Sequence, residues 1–154
     1  MLIRERSDDD APWMRALLHQ RWNGTIMYVH GEAIDVMALP ALVAGENKGL
    51  ATYRIMDGEA ELVSLDAVDP GQGVGTSLLT ALIDRLARQG LRRLWATTSN
   101  DNLAALAFYQ RRGFRLQRVR AGAIDETRRL KPGIPLIAEN GIPIRDEIDL
   151  CLEL

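Results

Sequence analysis

Cysteine is nearly missing from this chain. Cys151 stands alone among 154 residues, so no internal disulfide can form, and a reducing compartment is the expected setting. Histidine is almost as scarce: only His19 and His30 could join that thiol around a metal, so no metal site is expected. No run approaches the roughly 20 apolar residues of a membrane-spanning helix. The opening stretch MLIRERSDDD also lacks the apolar region of an export signal. The expectation is a cytoplasmic protein with no membrane partner. Strong charge of one sign is missing too: a net charge of −2 excludes the basic bias of a nucleic-acid binder. That balance is uneven along the chain, with 6 basic and 12 acidic residues through Ile83 and 13 basic and 9 acidic after it.

What is present suffices for a core. With 47% hydrophobic residues in 154, one domain spanning 1–154 is expected. The most informative stretch is LVSLDAVDPGQGVGTSLL, Leu62 to Leu79. An apolar strand-like run ends at Asp69-Pro70, passes through Gly71, Gln72, Gly73, Val74, Gly75 and Thr76, and enters an amphipathic helix. Glycines allow positive φ and close approach of a ligand to the backbone. The first N–H groups of a helix have no internal partner and attract anions. A phosphate-bearing ligand is therefore expected on residues 71 to 76. The Walker pattern needs Lys and then Ser or Thr after its last glycine, and the dinucleotide fingerprint needs its third glycine one place later; neither fits.

A second motif follows in NLAALAFYQRRGF, residues 102 to 114. At about 100° per residue, offsets of three and seven put Asn102, Ala105 and Tyr109 on one helix face. Together the two motifs resemble the GCN5-related N-acetyltransferase (GNAT) family. Gln72, Gly73, Val74 and Gly75 match the centre of its acetyl-CoA loop; Asn102, Ala105, Tyr109, Gly113 and Phe114 match its later helix. The family's usual Arg before the loop is absent, and Pro70 stands near its place. The resemblance implies an α/β (α+β) fold: a single mixed, mostly antiparallel sheet of about seven strands with splayed central strands, flanked by helices. It also implies acetyl-CoA as cofactor, an amine of a small molecule or peptide as acceptor, and a homodimer.

Along the chain, a strand is predicted at 1–6. A helix follows, started by Ser7 to Asp10 with Pro12 in its first turn and ending near Trp22. Residues 23–40 carry the turn signals Asn23-Gly24 and His30-Gly31 around strand formers. In the resembled family this region covers the acceptor, which makes Trp22, Tyr28, His30, Glu32 and Asp35 candidate contacts. Strands at 41–46, 49–56 and 59–68 form an antiparallel meander turning at Asp57-Gly58. A helix over 73–90 stops at Gly90, and a strand at 94–98 leads to residues 99–101, expected to cap the next helix. A strand follows at 114–119. Then come a short helix at 122–131, an irregular insertion rich in Pro and Gly, and a final strand in which Ile148, Leu150, Leu152 and Leu154 alternate with charged or small residues. Arg92, Arg93, Arg111, Arg112, Arg115, Arg118 and Arg120 are either solvated charges or an attraction for CoA phosphates.

The chemistry implied by the resemblance is direct attack of an amine on the thioester. Tyr109 is then the candidate acid for the leaving thiolate, Asn102 a pantetheine contact, and the backbone of Ala67 and Val68 the place of the thioester carbonyl. Glu61 and Asp66 are candidate bases. Strand alternation puts them on opposite faces unless a bulge intervenes. A chain of waters is the third option for the base. Two other readings stay open: a non-catalytic acyl-CoA sensor or interaction module, and a nucleotide-binding α/β domain.

Overall fold

The computed structural model describes residues 1–154. In chain order the elements are β1 (Ile3–Glu5), α1 (Ala11–Trp22), β2 (Ile26–Val29), β3 (Glu32–Asp35), β4 (Ala41–Ala44), β5 (Gly49–Met56) and β6 (Glu59–Ala67). After them come α2 (Val74–Arg88), β7 (Arg93–Ser99), α3 (Leu103–Arg111), β8 (Arg115–Arg120), α4 (Ala123–Leu130) and β9 (Glu147–Glu153). Seven strands make one mixed sheet, ordered β1-β4-β5-β6-β7-β9-β8, and β2 and β3 make a separate hairpin. This is the architecture expected from the sequence. The chain forms two compact units: Met1–Met27, Ile34–Leu94 and Leu154 in the first, Tyr28–Ala33 and Trp95–Glu153 in the second.

In the first unit, β1, β4, β5 and β6 pair antiparallel. Asp57 and Gly58, both at positive φ, join β5 to β6 in the two-residue turn whose twist suits paired strands. Helix α1 starts where Asp10 accepts the Ser7 N–H at 2.8 Å and a forked pair of bonds from Arg4 at 2.7 and 2.8 Å. It stops at Asn23, whose left-handed backbone donates to the His19 carbonyl. Met14, Leu17 and Leu18, three and four residues apart, pack with Val36, Val43 and Leu50. Full burial of each such side chain contributes about 1.5–3 kcal/mol, so this face outweighs the modest propensity of the helix itself. Helix α2 buries Val74, Leu78, Leu79, Leu82 and Leu86, the spacing read from the sequence. At Gly49 an added Cβ would lie 2.4 Å from Val74 Cγ1 and 3.0 Å from Leu78 Cδ1, so only glycine lets α2 come this close to β5.

In the second unit, β8 and β9 pair antiparallel although residues 121–146 lie between them. That insertion is tied down by its polar groups. Arg128 donates to the carbonyls of Ile134, Pro135 and Ile144, and Gly122 N–H donates to Asp146. Asn100 was expected to help cap α3, but Asn102 is the cap, with Oδ1 accepting the Ala105 N–H at 3.1 Å. Asn100 instead accepts the N–H groups of Arg145 and Asp146 and donates to the Pro143 carbonyl. Strand β9 forms as its alternation suggested, and its acids lie inside: Glu147 and Asp149 are 3% and 2% exposed, less than Ile148 or Leu152. Side-chain partners in other segments hold these acids inside.

The region 23–40 is more regular than its sequence suggested. His30 and Gly31, at φ 52° and 75°, form a two-residue turn between Val29 and Glu32, closing the β2–β3 hairpin.

Candidate active site

Strand β6 carries the glycine loop at its end, and its course is set by a bulge. Thr52 pairs with Ser64 but Tyr53 pairs with Leu62, leaving Val63 as the extra residue. The alternation changes parity there. Asp66 lies across from Leu50, Ser64 from Thr52 and Glu61 from Arg54, so both candidate bases share one face. Their environments differ. Glu61 is bound to Arg54, Nε to Oε2 at 2.8 Å. Asp66 receives the Trp22 indole N–H at 3.1 and 2.9 Å. Burial pushes the Asp66 carboxyl above the usual range, against the opposing pull of that N–H and of Arg21. Trp22 is thus placed on a candidate base.

Beyond Asp66, Arg21 donates to the carbonyls of Ala67 and Val68 at 3.0 and 2.9 Å, and Val68 N–H donates to the Lys48 carbonyl at 2.9 Å. Val68 therefore has its N–H engaged within the protein, and a thioester oxygen taking a bond from it competes with Lys48. The loop then exposes Gly71, Gln72 and Gly73 and buries Val74, which anchors the first turn of α2. Gly71 and Gly73 have φ of 80° and 72°, and a Cβ on either would meet nothing within 4 Å. The glycines serve backbone conformation and leave open space beside the loop. Gly73 is the N-cap of α2 and has no side chain with which to cap the first amides of the helix. An open left-handed turn running into an uncapped helix start fits a diphosphate.

The other motif residues belong to the second unit. Tyr109, half-buried on α3, packs edge-on to Phe108 (ring centroids 5.4 Å apart) and tilted against Phe114 (5.2 Å). These rings fix the direction of its phenol. Asn102 gives Oδ1 to the helix cap, where it accepts the Ala105 N–H. At the hairpin tip Tyr28 is half-buried, while His30 and Glu32 are exposed.

His30 has partners that the sequence did not suggest. Its Nε2 lies 2.7 Å from Asp149 Oδ1, and its backbone N–H donates to Glu147 Oε2 at 3.3 Å. Asp149 also accepts from Thr97 at 2.8 Å and from Arg120 Nε at 2.9 Å. Burial alone would raise the Asp149 carboxyl, but these three hydrogen bonds outweigh it and hold it below the usual range. Arg120, counted in the sequence among the arginines available for phosphates, is committed to this carboxylate. Arg92 and Arg93 likewise pair with Glu59, and Arg112 lies over the Phe108 ring at 3.7 Å. The cluster of His30, Thr97, Arg120, Glu147 and Asp149 joins four separated segments. Its only sequence signal was the acidic pair at alternate positions of the last strand.

The acetyltransferase (GNAT) family model matches residues 5–114, which include both motifs. The chain belongs to the GNAT acetyltransferase family. Its donor is the family's acetyl-CoA. The uncharacterized protein YxbD of Bacillus subtilis is 44% identical over 106 residues, covering 69% of this acetyltransferase and 67% of YxbD. The [ribosomal protein bS18]-alanine N-acetyltransferase of Escherichia coli is 38% identical over 73 residues, covering 46% of this chain and 49% of that enzyme. The chain thus matches about half the length of the latter. The structure of yncA from Salmonella typhimurium with its cofactor acetyl-CoA is 20% identical and superposes with a TM-score of 0.70, covering 99% of this chain and 93% of that one. This GNAT member has no helix long and apolar enough to cross a membrane.

Proposed function

We propose that this acetyltransferase moves the acetyl group of acetyl-CoA onto an amine of a small molecule or peptide by direct attack. The observation that carries the reading is the open, uncapped turn at Gly71–Thr76, which offers backbone amides to a diphosphate. When bound, acetyl-CoA supplies an activated acetyl thioester. Amides of Gly71, Gln72, Gly73, Val74, Gly75 and Thr76 hold the phosphates, and Asn102 meets the pantetheine arm. The backbone at Ala67 and Val68 is the proposed place of the thioester carbonyl, and a Val68 N–H given to its developing negative charge has first to leave the Lys48 carbonyl. Tyr109 gives its proton to the leaving thiolate. The attacking nitrogen must first lose a proton. Asp66 is the better placed of the two strand acids, because Glu61 is tied to Arg54, and its raised affinity for a proton suits a base. Trp22, Tyr28, His30 and Glu32 are the proposed acceptor contacts.

A peptide acceptor is supported by the Escherichia coli relative, whose name specifies an alanine of a ribosomal protein. The single, buried thiol of Cys151 supports work in the reducing cytoplasm, where acetyl-CoA is made. We expect a single domain over 1–154. We also expect a homodimer, because the edge strand β8 presents Leu116 and Val119 to solvent; sedimentation velocity tests that.

The functional test is release of CoA thiol from acetyl-CoA across a panel of polyamines, arylalkylamines, aminoglycosides and peptide N-termini. Tyr109→Phe should lower turnover by about 100-fold while leaving acetyl-CoA affinity nearly unchanged. Equal turnover would remove Tyr109 from the mechanism. Binding of acetyl-CoA with no transfer to any amine would favour the sensor reading.

A further inference from the structure

Glu147 stands apart in the buried cluster of the second unit. Its Oε2 accepts the His30 N–H through a long bond of 3.3 Å, while Oε1 is sealed from solvent and has no hydrogen-bond partner. A carboxylate oxygen left unpaired in the interior carries its full desolvation cost. No neighbouring side chain donates to Oε1. Arg120 and Thr97 are directed at Asp149, and so is the His30 imidazole. Two carboxylates thus share one guanidinium and one imidazole, and none of their side-chain donors is given to Glu147 Oε1.

The group over Glu147 is a two-residue turn. His30 holds φ 52°, a left-handed conformation uncommon outside glycine, in which histidine is enriched alongside Asn and Asp. Its imidazole meets Asp149 while its N–H meets Glu147, so one residue covers both buried acids.

We propose that Glu147 Oε1 is the docking point for the ammonium group of the acceptor, reached when the His30–Gly31 turn lifts and gives up its 3.3 Å bond. This rests on the amine-acetylating reading of the protein and locates the cationic end of its acceptor. The ligand class is an ammonium with N–H groups to donate. A quaternary ammonium has the charge without the donor, and an alcohol has a donor without the charge. Burial already pushes the Glu147 carboxyl above its usual range, helped by the Asp149 charge and opposed by His30 and Arg120, as befits a site awaiting a cation.

The full-length protein is tested by thermal unfolding with n-butylammonium chloride in millimolar excess, against tetramethylammonium chloride and n-butanol, at matched ionic strength. Butylammonium should raise Tm by roughly 2 °C or more. The other two should leave it unchanged, and Glu147→Gln should abolish the rise. The His30 amide resonance should shift on addition of butylammonium. Glu147→Gln without ligand should melt at the same or a higher temperature, since it removes a buried charge with an unpaired oxygen. The inference is overturned by no rise, by an equal rise with tetramethylammonium, or by a rise that survives in Glu147→Gln. Acetyl-CoA is added to the wild type in a separate arm. Absence of stabilisation there would sink the acetyltransferase reading, whatever the ammonium ions do.

Discussion

The glycine loop and the acidic cluster make opposite use of the chain. The loop at residues 71–76 is built from consecutive residues, and its proposed function rests on the backbone: positive φ at Gly71 and Gly73, then a helix start whose N-cap has no side chain. The cluster around Asp149 takes one or two residues each from a hairpin tip, two strands of the sheet and the final strand, and it is held together by side chains. A contiguous backbone device tolerates change wherever the new residue can adopt the same φ. A dispersed side-chain device fails when any one member leaves its partners unpaired.

The largest contrast should come from Asp149→Ala. Three donors lose their acceptor and Arg120 is left half-buried without its counter-charge, so a loss of about 3 kcal/mol is expected in urea unfolding. A loss below the range of an ordinary surface substitution would show that the cluster contributes nothing to the fold. Gly49→Ala comes next, at about 1–3 kcal/mol. The new methyl would meet Val74 and also the Asp66 carbonyl at 3.0 Å, and a backbone oxygen cannot rotate away. Because Val74 anchors the loop, acetyl-CoA affinity should fall with stability, which calorimetry would reveal. Gly73→Ala should cost only about 1 kcal/mol, the conformational penalty of a left-handed turn, since the space beside it is open. Its effect on acetyl-CoA binding should exceed its effect on Tm; the reverse order would argue against a ligand at this turn.

The smallest effect is a difference in pH response. Arg4 beside Asp10 holds that carboxyl down at about 2, against an ordinary value of 3.8. Its stabilisation is therefore present above 3.8 and lost as pH falls toward 2. Glu147 has the opposite sign: its raised carboxyl favours the fold at low pH, and that contribution is lost as pH rises through the folded-state value. Asp10→Asn should flatten the acid limb of the stability curve, and Glu147→Gln should lift the neutral limb. Parallel curves for both variants and the wild type would show that neither group couples folding to protons.

The elements themselves were largely legible. The apolar spacing of Val74, Leu78, Leu82 and Leu86 specified α2, and Asp57-Gly58 specified a hairpin turn, because both signals act over a few residues. His30-Gly31 was visible as a turn, but the strand beyond it was not, since Glu32–Asp35 lacks the run of β-branched residues that marks a strand. The shared face of Glu61 and Asp66 was also hidden, for it depends on one extra residue at Val63 in the pairing of two strands.

Sequence alone pointed to the family, through the glycine loop and the spacing of Asn102 and Tyr109, since local backbone preferences and short spacings carry that information. Tertiary structure alone decided that Glu147 and Asp149 lie inside, that Arg120 serves a carboxylate, and that His30 closes over them. Those outcomes depend on which distant segments become neighbours, and a buried charge is set by its partners in space; nothing in the order of residues along one strand reveals them.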